Sequence, residues 1–127
     1  MSRQVHVPAW PVQHTLEEVS LMDSRAIGMH LKKELEKHYG KSLKNVILYG
    51  SSARGEATEE SDIDILVVLD DIENYDREFN TVFTMEREIE KKHSNSILIS
   101  SLVASQADYE RNREPLFQVI RQDGIAL

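Results

Sequence analysis

The sequence predicts a single α/β (α+β) domain in which a small mixed central sheet is flanked by helices. Three observations carry that reading. Short apolar runs at residues 45–50, 62–69 and 96–103 alternate with segments of helical period. At 127 residues the chain has the length of one domain, and such a chain buries roughly two thirds of its unfolded surface on folding. No repeat and no low-complexity tract divides it.

Residues 1–14 contain Pro8 and Pro11 and read as an extended arm, leaving 15–127 as the domain proper. Thr15, Leu16, Glu17 and Glu18 have the form of a capping box, and Asp23 or Ser24 offers an equally good helix start. Ile27, Leu31 and Leu35 then recur on one face, with Lys32, Lys33, Glu34, Glu36 and Lys37 on the others. Gly40 supplies the stop. The run 45–50 is apolar and ends in glycine, as a buried strand does. The run 62–69 is a second strand, rich in β-branched residues and halted by Asp70 and Asp71.

Helical period returns over 75–93, where Phe79, Val82, Phe83, Met85 or Glu86, and Ile89 form an apolar stripe expected to lie in the core. Residues 96–103 are a third strand. Ser105 to Asp108 resembles a helix cap, and Pro115 suits the first turn of a last helix. That helix carries Leu116, Phe117, Val119 and Ile120 and ends at Gly124.

Composition removes whole classes of chemistry. With no cysteine, disulfides, thiolate nucleophiles and cysteine-type zinc sites are excluded. No apolar run approaches the ~20 residues of a membrane span, and no apolar signal-like segment opens the chain, so a cytoplasmic location is expected. Fifteen Lys and Arg against 22 Asp and Glu give a net charge of −7. Such a surface repels a phosphate backbone and disfavours general nucleic-acid binding. An acidic protein that handles phosphates needs metal ions or backbone donors to neutralise them. The five histidines are scattered without ligand spacing.

Residues 50–64 concentrate the chemistry: Gly50-Ser51, ten residues, then Asp62-x-Asp64. A glycine ending a strand lets a ligand approach the backbone where a Cβ would collide. Ser51 and Ser52 would open a short helix whose free N–H groups attract phosphate. Asp62 and Asp64, two apart on a strand, share a face with Cα atoms about 6.6 Å apart. Two carboxylates aimed together repel unless a cation lies between them, and hard oxygen ligands suit Mg²⁺ or Mn²⁺. Arg54 either contacts phosphate or shapes the loop through a salt bridge.

The stretch 49–69, about a sixth of the chain, resembles the signature of the minimal nucleotidyltransferase (MNT) branch of the DNA polymerase beta-like nucleotidyltransferase superfamily. It carries Gly50-Ser51-x-Ala53-Arg54-Gly55 followed by Ser61-Asp62-Ile63-Asp64 and an apolar strand. The resemblance implies that Gly50 and Ser51 hold the terminal phosphates of a nucleotide, with Ser52, Arg54 and Ser61 in the same nucleotide-binding loop. It also implies that Asp62 and Asp64 are the catalytic residues and coordinate Mg²⁺. An acceptor hydroxyl would attack the α-phosphate of ATP or another nucleoside triphosphate and expel pyrophosphate. Catalytic members place a third carboxylate on the strand after the second long helix, and 96–103 contains no Asp or Glu. Alternation puts Ser96, Leu98 and Ser100 on one face of that strand, and its polar ends mark it as the face near the metals. Transfer by the isolated chain is therefore expected to be slow or absent.

Small members of this branch work as halves of two-protein systems, so the resemblance implies a partner, a HEPN-type helical toxin whose tyrosine would be modified. A homo-oligomer is compatible with this reading. The competing expectation is a catalytically impaired nucleotide-binding module that acts by masking its partner. A small-molecule adenylyltransferase of the aminoglycoside type is weaker, because no second domain shapes an acceptor pocket.

Overall fold

Leu31 and Leu35 are fully buried, and the four-residue spacing that put them on one face carries the first helix across the sheet. The computed structural model describes residues 16–55 and 62–127, with side chains from Asp23 onward. The proline-bearing arm, the capping box at Thr15, and Ser61 lie outside the described residues.

The first helix, α1, spans Leu16–Tyr39 and runs unbroken through Asp23 and Ser24, so the predicted start at Asp23 or Ser24 is not a helix start. Gly40, at φ +56°, ends it and opens a single turn of 3₁₀ helix, Gly40–Ser42. Strand β1 (Leu43–Tyr49) leads into one helical turn, α2 (Gly50–Ala53). Strand β2 (Ile63–Leu69), helix α3 (Tyr75–Lys92) and strand β3 (Ile99–Ser105) follow. Two short helices, α4 (Gln106–Arg111) and α5 (Pro115–Asp123), precede a last strand, β4 (Ile125–Ala126). The predicted cap at Ser105 and the predicted first-turn proline at residue 115 hold. The Ser105 side chain accepts from the Asp108 N–H, and Pro115 opens α5.

The four strands lie in the order β3-β2-β1-β4. β1 runs antiparallel to β2 and β4, whereas β2 and β3 are parallel and need α3 as their crossover. Both faces of the sheet are covered, which is why β2 is continuously apolar from Ile65 to Leu69. On one face Val46, Leu48, Ile65, Val67 and Leu69 meet Leu31 and Leu35 of α1 and Val82 and Ile89 of α3. On the other, Ile47, Leu66, Val68 and Ala104 meet Ile120 of α5.

The structure departs from the sequence expectations at two points and adds a strand. The third strand begins at Ile99 rather than at residue 96, so Ser96 and Leu98 precede it. Glu90 fixes that start by accepting the Ile99 N–H at 2.8 Å, and Arg87 donates to the Ile99 carbonyl at 3.0 Å. Beyond Gly124, where the sequence reading stopped at the end of the last helix, the chain adds a short strand, β4. The Leu127 N–H donates to the Val46 carbonyl, Lys32 Nζ reaches the Leu127 carbonyl at 2.6 Å, and the Leu127 side chain fills the space beside Gly28. Finally, the stripe of α3 divides. Val82 and Ile89 are core, but Phe79 and Phe83 remain 37% and 42% exposed.

The face of α3 that turns inward instead includes three acids, Glu78, Glu86 and Glu90. Glu78 accepts from the Tyr39 hydroxyl and Arg77, and Glu90 from Arg87 and Ile99. Glu86 lacks such partners. Its Oε2 has no hydrogen-bond partner among the described residues, and Arg87 stands 4.0 Å from Oε1. Burial pushes its carboxyl up to about 8, opposed by the charge of Arg87 and reinforced by Glu90. The folded state therefore binds a proton that the unfolded chain releases near 4.5. That stability is fully present below the unfolded value and is lost as pH rises towards 8. Thermal melting should fall across this window in the wild type, and Glu86→Gln should flatten the fall. A profile unchanged by the substitution would place the proton elsewhere.

Candidate active site

Tyr49 ends β1 in extended backbone, and Gly50 turns the chain at φ +73° into α2. This turn closes through Arg54 N–H to the Gly50 carbonyl at 3.2 Å and Gly55 N–H to the Ser52 carbonyl at 3.4 Å. The positive φ demands glycine, but a second constraint comes from across the sheet. A Cβ on residue 50 would lie 2.5 Å from Asp64 Oδ2. The strand register explains the proximity, since Tyr49 is the antiparallel partner of Asp64. Two of the predicted site residues, fourteen positions apart, are thus in direct contact.

Asp64 has a second neighbour in register, Ser100 on parallel β3. Paired residues of adjacent strands point to the same face, so Tyr49, Asp64 and Ser100 form a polar row at one end of the α5-covered face. Further along β2 that face becomes apolar, with Leu66 and Val68 buried. Alternation therefore separates chemistry from core along a single strand.

The electrostatics of the row are those of crowded negative charge. Burial, then the charge of Asp62, raises the Asp64 carboxyl above its ordinary value, while Arg54 pulls it down. Burial and the Asp64 charge together push the Tyr49 phenol up to about 12. Asp62 is exposed and immediately precedes β2. The structure thus brings together Gly50, Arg54, Asp62 and Asp64, with Ser51 half-buried in the adjoining turn. Ser52 is buried, and its hydroxyl has no hydrogen-bond partner among the described residues. Tyr49 is the neighbour that sequence reasoning missed. Its position just before Gly50 was the available signal, because the residue ending an antiparallel strand must face some partner.

The donor set suits a hard divalent cation. One half-buried carboxylate is raised by a second carboxylate, a repulsion that a cation between them would relieve. Mg²⁺ is commonly held by one or two carboxylates and completes its shell with water and phosphate oxygens. Among the described residues no three acidic or histidine side chains gather into a metal cage.

A family model described as a nucleotidyltransferase domain matches residues 29–113. Two Methanocaldococcus jannaschii proteins, both named as candidate protein adenylyltransferases, are similar over shorter stretches. One is 58% identical over 36 residues, which is 28% of this chain and 36% of the relative. The other is 55% identical over 40 residues, 32% of this chain and 38% of the relative. The matches thus span little more than a third of the relatives' lengths. Among solved structures, a candidate nucleotidyltransferase from Sulfolobus solfataricus superposes over 89% of this chain and 86% of its own, with a TM-score of 0.55 and 20% identity. A toxin–antitoxin structure with AMP-PNP superposes over 76% of this chain and 69% of its own, at TM-score 0.50 and 17% identity. At these identities the likeness is one of fold.

Proposed function

The chain belongs to the family of nucleotidyltransferase domains, and on that premise we propose that it transfers a nucleoside monophosphate from ATP, or another nucleoside triphosphate, to a hydroxyl group in a reaction that needs Mg²⁺ or Mn²⁺. One observation carries the reading: Asp62 and Asp64 crowd together, with the Asp64 carboxylate in the space that a side chain on Gly50 would need. In the reaction the acceptor oxygen bonds to the α-phosphorus, the bond to the β-phosphate oxygen breaks, pyrophosphate leaves, and the hydroxyl proton passes to water. Asp62 and Asp64 would hold the divalent ion, which when bound supplies neutralising charge and Lewis acidity at the phosphates. Gly50 leaves room for the Asp64 carboxylate, and the N–H groups of Gly50 and of the turn it opens, with Ser51, Ser52 and Ser61, would donate to the phosphate oxygens. Arg54 supplies the local positive charge that an acidic protein otherwise lacks.

We infer that the acceptor is a hydroxyl on a partner protein, a HEPN-type helical toxin being the kind that the motif's family implies. The relatives named as protein adenylyltransferases support a protein acceptor, and a toxin–antitoxin structure shares the fold. A second reading, a nucleotide-binding module that masks its partner without turnover, is favoured by one residue. The strand register sets Ser100, a neutral hydroxyl, beside Asp64 where a third carboxylate would complete the metal site.

Incubating the protein with ATP labelled at the α-phosphate, Mn²⁺ or Mg²⁺, and a partner protein separates the two. Label on the partner's hydroxyl, with slow transfer in its absence, is expected for the enzyme, and nucleotide binding without transfer for the module. Because Ser96 and Leu98 precede β3, Ser100 is the position at which to install an acid. Ser100→Asp should tighten Mn²⁺ by about tenfold, an effect of the size seen when the surroundings of a metal site change. Unchanged Mn²⁺ affinity would remove Ser100 from the neighbourhood of the metal.

A further inference from the structure

We propose that the outer edge of β3 and the aromatic column of α3 form a self-pairing surface, on which a second copy of this chain docks across a two-fold axis.

The column is built by four-residue spacing. Tyr75 and Phe79 stack with centroids 6.4 Å apart, Phe79 and Phe83 at 6.2 Å, and the Arg87 guanidinium lies 4.5 Å from the Phe83 centroid. Tyr75, Phe79 and Phe83 are 48%, 37% and 42% exposed. Three aligned rings open to solvent form a patch of the kind that marks an interaction surface. Aromatic side chains supply much of the energy at the centre of such contacts.

Arg87 ties the column to β3, since it also donates to the Ile99 carbonyl. β3 is the edge strand of the sheet. The Ile63 N–H reaches the Leu98 carbonyl, and in a parallel pair alternate residues turn both backbone groups to the same side. Ser100, Leu102 and Ala104 therefore face β2, while Ile99, Ser101 and Val103 face outward. Glu90 and Arg87 occupy the outward groups of Ile99. No strand among the described residues lies on the outer side of β3 to take the outward N–H and C=O groups of Ser101 and Val103. β3 carries no charge and no proline, so it lacks the devices that blunt an open edge.

Charge along α3 selects the occupant. The helix starts acidic at Asp76 and ends basic at Lys91 and Lys92, and the preceding loop adds exposed Asp70, Asp71 and Glu73. A two-fold axis perpendicular to the sheet sets two copies of α3 antiparallel, so each basic end faces the other's acidic end. The same axis sets β3 antiparallel to its copy and extends the sheet through both subunits. A surface complementary to itself is what a closed dimer requires.

The test is sedimentation velocity on the full chain from micromolar to sub-millimolar concentration, with melting measured on each variant. The wild type should sediment with twice the chain mass. Phe79→Glu and Phe83→Glu, at exposed positions, should keep the melting temperature but raise the dissociation constant by at least ~10-fold. Reversing the basic end (Lys91→Glu with Lys92→Glu) should weaken the dimer similarly, and adding Asp76→Lys should restore it. A monomer at every concentration would overturn the proposal, as would a dimer insensitive to Phe79→Glu, whatever occupies the patch instead. Failure of Asp76→Lys to rescue would overturn the antiparallel arrangement. None of these outcomes bears on nucleotidyl transfer, which is read at Asp64.

Discussion

Asp64→Ala is expected to lower nucleotidyl transfer by at least ~100-fold, the scale on which removing a principal electrostatic contact acts, and to weaken ATP binding in the presence of Mn²⁺ by at least ~10-fold. The fold should survive. The ionised side chain is half-buried beside Asp62 with Arg54 also acting on it, so its removal relieves the burial cost and the Asp62 repulsion, which offset the lost attraction to Arg54. Asp64→Asn, close to isosteric, should leave the melting temperature unchanged or raised while transfer is lost. A metal-loaded wild type should melt higher than the apoprotein, and Asp64→Asn should lose that increment. Normal ATP and Mn²⁺ binding by both variants would sink the assignment of the site.

Gly50→Ala is expected to damage both stability and transfer, for two separable reasons. Placing an L-residue at φ +73° costs about 1–2 kcal/mol in backbone strain. The new methyl also meets Asp64 Oδ2 at 2.5 Å, so the carboxylate must turn away from its position beside Asp62. Together these should lower the melting temperature by roughly 5–15 °C and cut transfer at least ~10-fold. A double-mutant cycle isolates the second part. In an Asp64→Ala background the collision is gone, and Gly50→Ala should cost only the strain. Equal stability losses in the two backgrounds would mean that Asp64 does not constrain residue 50. Gly50→Val should lose more of both, because its branches extend further into the same space.

The parts of this structure that local pattern determines were legible in the sequence. Leu31 and Leu35 repeat at the helical period, 62–69 is a short β-branched apolar run, and Gly40, Ser105 and Pro115 punctuate by their own chemistry. What was not legible depends on residues distant in sequence. β3 starts at Ile99 because Glu90 and Arg87 clip it there, and nothing in the apolar run itself marks that residue. β4 is two residues long, too short to carry a period, and exists because β1 offers an unpaired edge. On α3 the column Phe79–Phe83 and the column Val82–Glu86 differ by a fraction of a turn. Burial goes to the second because Glu78 and Glu90 find partners on Tyr39, Arg87 and Ile99. Hydrophobicity alone placed both in one buried stripe. In the site, Asp62, Asp64 and Gly50 were readable as residue types, but the contact between Gly50 and Asp64 required the register of β1 against β2. The same register brings in Tyr49.

Tyr49, Gly50, Arg54, Asp62 and Asp64 all come from one antiparallel hairpin of contiguous sequence. Closing that loop costs little chain entropy, whereas β3 must wait for the whole α3 crossover before it can pair. The reactive geometry therefore rests on the most local contacts in the sheet and can form before the edge of the molecule is in place. Such a hairpin behaves as a cassette. Its chemistry is fixed by neighbours a few residues away, and the periphery, where β3 and α3 lie, is free to diverge without disturbing it.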